Sequence, residues 1–117
     1  MTVPKQLPAR FFVSATGRIY VREWILLLSP EDRKVIGEDI KTAEFGWPIG
    51  MPLCRSISSI KGLWEIRTKL SGGRIARVFF CVHESEMILL HGFIKKTQKT
   101  PDKELETARK RMKGLSA

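Results

Sequence analysis

The tetrad Ser71-Gly72-Gly73-Arg74 separates an alternating segment, Leu63 to Leu70, from a largely apolar one, Ile75 to Val82. A glycine pair between two such strand-like runs commits this part of the chain to an antiparallel hairpin. From Leu63 to Leu70, Trp64, Ile66 and Leu70 share one face, and Glu65, Arg67 and Lys69 share the other. Ile75 to Val82 forms the returning strand, Glu84-Ser85-Glu86 turns again, and Met87 to Ile94 is a third, largely apolar strand. The second half is therefore a three-stranded meander.

The first half reads differently. Arg10 to Ser14 is a short strand after a proline-containing lead-in. Ile19 to Leu28 carries Val21, Trp24, Ile25 and Leu28 at helical spacing. Ser29-Pro30-Glu31-Asp32 then restarts a helix, with a serine cap, a proline at its first position and acids against the positive end of the dipole. That helix should reach Phe45 and bury Val35, Ile36, Ile40 and Ala43. Two prolines and two glycines from Gly46 to Pro52 enforce a loop. Thr100-Pro101-Asp102 reads as the cap of a last helix, running to Met112 on a stripe of Leu105, Ala108 and Met112. The fold class is α+β, in the order β-α-α-β-β-β-α, with the chain 1–117 expected to form one domain.

Charge is distributed unevenly. Residues 1–60 hold 8 basic and 6 acidic groups, whereas residues 61–117 hold 13 and 6, giving most of the net +9 to the second half. Such a localised excess suits a polyanion. Alternation sorts the sheet faces further. Ala76, Val78, Phe80 and Val82 should meet the helices, which leaves Arg77 on the opposite, open face with Arg67, His91 and Phe93. Two guanidinium groups, an imidazole and aromatic rings suit a single-stranded nucleic acid. Lys95, Lys96 and Lys99 leave the last strand directly beside that face. Trp24, Trp47 and Trp64 read as core or loop anchors.

Cys54 and Cys81 sit in no CxxC or Cys/His cluster, so both are read as buried thiols, with no metal site and no disulfide. With no membrane-length apolar run and no signal-peptide core, the expected location is the cytoplasm.

The segments Gly62 to Arg67, Arg77 to Phe80 and Leu89 to Pro101 closely resemble the phage-derived, HigB-like branch of the RelE/ParE toxins. Glu104, Ala108 and Arg109 continue the similarity, as does Pro48 to Pro52. The resemblance implies a RelE/ParE-like fold and the toxin of a type II toxin–antitoxin pair. It further implies a cognate helix-turn-helix antitoxin as partner, and the ribosome and its mRNA as target. No cofactor, metal or membrane enters that expectation.

Cleaving RNA without a metal requires a group to accept the 2′-hydroxyl proton, cations against the growing phosphate charge, and help for the leaving oxygen. Arg67, Arg77, Lys95 and His91 are the catalytic candidates. Arg74, Phe93, Lys96, Lys99 and Lys69 are the candidate RNA contacts. The alternative from another class is a ParE-like protein that inhibits DNA gyrase without catalysis.

Overall fold

The computed structural model describes residues 3–115, so positions 1, 2, 116 and 117 of the expected domain lie outside the described residues. Along the chain come β1 (Ala9–Phe11), α1 (Tyr20–Leu26), α2 (Pro30–Gly46), β2 (Cys54–Ser56), β3 (Trp64–Lys69), β4 (Ile75–His83), β5 (Glu86–Lys95) and α3 (Asp102–Gly114). The strands make one sheet in the order β1-β5-β4-β3-β2. Only the β1–β5 pair is parallel.

One strand more than expected is present. β2 carries Cys-Arg-Ser, too short to alternate visibly, and it is identified by its pairing of Cys54 with Ile66 and Arg55 with Glu65. β1 is also shorter than anticipated, although the Phe12 amide still donates to Leu89 at 3.0 Å.

Local chemistry explains the helix boundaries. The Ser29 hydroxyl accepts the Asp32 amide proton at 3.2 Å, closing the start of α2 as a serine cap does. α1 ends earlier than expected because the Leu27 and Leu28 amides bond three residues back, to Trp24 and Ile25. Ser29, extended ahead of Pro30, then prevents continuation. At α3 the cap position is Pro101, not Thr100. The Thr100 hydroxyl instead donates to Glu65 at 3.4 Å.

The hairpin turn holds Gly72 and Gly73 at φ of +72° and +74°, where residues with a Cβ are strained. Glu84 and Ser85 adopt the left-handed region in the next turn, as a two-residue hairpin loop demands.

α1 and α2 cover one face of the sheet, burying Val21, Ile36, Ile40 and Ala43 against Ile66, Ala76, Val78 and Phe80. α1 approaches β5 closely: a Cβ on Gly92 would lie 2.4 Å from the Trp24 ring. Two residues assigned to this layer differ from expectation. Val82 is 45% exposed at the end of its hairpin, where no helix covers it, and Val35 points into a surface cleft.

The other face is not open. α3 crosses it, and Ala108 packs with Phe79, Cys81, Ile88, Leu90 and Phe93 in a second core. Both cysteines are buried free thiols whose pKa values burial pushes up to about 11. Among the described residues no helix is long and apolar enough to cross a membrane.

Candidate functional site

Strand register brings the charged residues of the second face into rows. Glu65 lies opposite Phe79, and Phe79 opposite His91; Arg67 lies opposite Arg77, and Arg77 opposite Phe93. A third row holds Lys69, Ile75 and Lys95. The face assignment from alternation is therefore correct for Arg67, Arg77, His91 and Phe93. Their accessibility is another matter.

Like charges directly opposite on neighbouring strands repel, so the Arg67–Arg77 pair needs a counter-charge. Glu65 supplies it. Its fully buried carboxylate lies 3.4 Å from Arg55 Nη2, 3.6 Å from Arg67 Nε and 4.0 Å from Arg77 Nε. These distances describe a carboxylate shared among three guanidinium groups, with no tight fork to any of them. The Nε atoms of Arg55, Arg67 and Arg77, and Nη1 of Arg77, have no protein acceptor. One negative charge thus faces three positive ones.

The three arginines differ in access. Arg55 is 38% exposed and Arg67 21%, but the Arg77 side chain is fully buried. The reason is the segment 96–100, which leaves β5 and straps over the cluster. Arg77 Nη2 donates to the backbone oxygens of Thr97 at 2.6 Å and Gln98 at 3.1 Å. Arg67 Nη2 donates to the Gln98 side-chain oxygen at 2.8 Å. Burial, and then the neighbouring Arg67 and Arg55, hold the Arg77 pKa below the usual arginine value against the opposing pull of Glu65. The expectation that Arg77 is exposed is corrected: it ties down the strap that carries Lys96, Gln98 and Lys99. Lys95, Lys96 and Lys99 on and beside that strap are exposed, as is Lys69.

Three other candidates are engaged elsewhere. His91 packs beneath α3, with Nε2 3.2 Å from the Glu104 carboxylate and Nδ1 3.2 Å from Arg111 Nη1. Arg111 can only donate, so Nδ1 accepts and the Nε2–H faces Glu104. Burial lowers the His91 pKa despite Glu104. Phe93 is buried, its ring centroid 5.7 Å from Phe79 and 5.9 Å from His91, so no base can stack on it. Arg74 forks onto Asp32 of α2 at 2.8 and 3.1 Å. It closes the hairpin against the helix.

Two clefts flank the strap. One of about 660 Å³ is lined by Val35 and Asp39 of α2, Arg67 and Lys69 of β3, and Gln98. A smaller one of about 320 Å³ is lined by Arg55, Ser56, Lys99 and Thr100. Among the described residues no three His, Cys, Asp or Glu side chains are grouped to hold a metal ion.

Glu65, Arg55 and Gln98 were absent from the candidate set. Alternation had placed Glu65 beside Arg67, and that was its signal. Arg55 gave none, because β2 has no period to read.

Residues 23–113 match the protein family described as Phage derived protein Gp49-like (DUF891). No curated protein matches the chain.

Proposed function

Because the chain belongs to the phage-derived, Gp49-like family, a toxin-like family with a toxin–antitoxin setting, we propose that it is the toxin of a type II pair and cleaves RNA. The finer placement, in the HigB-like branch of the RelE/ParE toxins, is part of this proposal. So are a cytoplasmic location, a helix-turn-helix antitoxin and ribosome-bound mRNA as substrate.

The observation that carries the reading is the charge imbalance around Glu65. Three guanidinium groups share one carboxylate, and exposed lysines border them on the sheet and on the strap. Such an arrangement favours a phosphodiester over a neutral ligand.

In the proposed reaction the ribose 2′-oxygen attacks the adjacent phosphorus and the bond to the 5′-oxygen breaks. The products are a 2′,3′-cyclic phosphate and a 5′-hydroxyl end. The 2′-hydroxyl proton passes to solvent water as the oxygen attacks, and the departing 5′-oxygen takes one from Lys95, which solvent then reprotonates. Arg67 contacts the phosphate oxygens, where a planar, permanently charged fork stabilises the developing charge. Lys95, one row further along the same face, donates toward the leaving oxygen. Lys69, Lys96 and Lys99 hold the flanking backbone. Arg77 is a positioning residue, fixing the strap through two carbonyl oxygens. His91 belongs to the docking of α3, so electrostatic stabilisation replaces an imidazole relay.

Mapping transcript 5′ ends after brief induction tests this reading. Internal cuts in translated mRNA are expected. Intact mRNA accompanied by broken or abnormally relaxed DNA would assign the chain to gyrase inhibition instead.

A further inference from the structure

The larger cleft beside the strap has walls of opposite character. On one side β3 presents Arg67 and Lys69, and on the other α2 presents Asp39, with Val35 one helical turn before it. Pro52, Leu53 and Ile75 complete an apolar lining. Asp39 is half-buried, and among the described residues it has no ion-pair partner. Of the other acids of α2, Asp32 pairs with Arg74 and Glu44 with Lys5, while Glu31 and Glu38 are exposed to solvent. An unpaired carboxylate in a cleft meant for a polyanion would repel it, unless the ligand also brings hydrogen-bond donors.

A nucleotide meets both requirements. Its phosphate suits Arg67 and Lys69, its flat base suits the apolar lining, and its base edge reaches Asp39. An ionised carboxylate only accepts hydrogen bonds, through two oxygens. Guanine alone among the four RNA bases presents two adjacent donors on its Watson–Crick edge, N1–H and the N2 amino group. Adenine and cytosine place a ring-nitrogen acceptor beside their amino group, and uracil flanks its single N–H with two carbonyls.

We propose that this cleft is a guanine-selective nucleotide pocket, with Asp39 as the residue that reads the base. The inference rests on the ribonuclease reading and names the nucleotide bound next to the scissile phosphate.

Calorimetric titration of the full chain with GMP, IMP, AMP and CMP provides the test. GMP should bind tightest, and IMP, which lacks the N2 amino group, about tenfold more weakly, the scale of one lost base-edge contact. Asp39→Asn should abolish the preference for GMP over AMP, while Arg67→Ala should weaken all four nucleotides alike. Equal affinities, absence of binding, or an undiminished GMP preference in Asp39→Asn would overturn the pocket. Cut sites mapped in parallel separate the two readings. RNA cleavage whose sequence preference ignores Asp39 defeats the pocket and leaves the nuclease standing. Asp39-dependent GMP binding without any cleavage does the reverse.

Discussion

At the residue scale, Glu65 has the most to explain, since a buried carboxylate is tolerated only where its charge is compensated. Here it serves three arginines at once, each at 3.4 to 4.0 Å. Removing it leaves a buried Arg77 against Arg67 with nothing between them. Glu65→Gln keeps the shape and deletes the charge. We expect it to destabilise the fold by about 3 kcal/mol, the range seen when one partner of a buried ion pair is lost. Urea denaturation measures this directly, and an unchanged midpoint would show that the cluster is not held by that carboxylate. Asp39 and Glu65 are thus opposites: one carboxylate is consumed by the protein, and the other is left for a ligand.

At the element scale, α3 and the strap decide what the second face of the sheet can do. His91 takes part in this docking as a neutral ring, accepting from Arg111 and facing Glu104, with the Phe79 ring stacked 6.3 Å away. A proton on Nδ1 would oppose the Arg111 donor. In the unfolded chain His91 takes up a proton near its ordinary value of 6.5, whereas in the folded chain burial delays this to lower pH. Acidification through that window therefore favours the unfolded state, and stability is retained above it. The melting temperature of the wild type should fall as pH drops below about 6.5. The His91→Gln variant should show a smaller fall over the same range. Parallel curves for the two proteins would remove His91 from the acid response.

The same elements show what was legible beforehand. Alternation sorted the faces of β3, whose period is visible, and separated Ala76, Val78 and Phe80 from Phe79 and Cys81 in β4, with Val82 the exception. β2 gave nothing, being three residues of mixed polarity stabilised only by pairing. The error about the open face had a readable warning. Phe79, Cys81 and Phe93 share that face with the arginines, and so many apolar groups require a cover. The Leu105, Ala108 and Met112 stripe of α3 was that cover. What no pattern could supply was the path of the strap, which follows from Arg77 finding two backbone oxygens.

At the scale of the whole molecule, residues 61–117 carry +7 of the net +9, and they include the strand and strap lysines proposed to hold the substrate. Cations that displace counterions from a nucleic acid give an affinity that falls with salt. Reversing Lys95 and Lys96 together to Glu should weaken RNA binding most at low ionic strength and reduce the salt slope. Filter-binding or anisotropy titrations across a salt series read both effects. An unaltered slope would place the RNA elsewhere.

The central claim is that Arg67 meets a scissile phosphate at the rim of the arginine cluster. The most direct measurement incubates purified protein with mRNA-programmed ribosomes and identifies the product ends, for the wild type and for Arg67→Ala. The account predicts 5′-hydroxyl and 2′,3′-cyclic phosphate ends with the wild type. It predicts a loss of at least about a hundredfold in rate for Arg67→Ala, the scale of one missing transition-state donor, with an unaltered circular dichroism spectrum. Cleavage by a folded Arg67→Ala protein at the wild-type rate, or intact mRNA with the wild type, would contradict it.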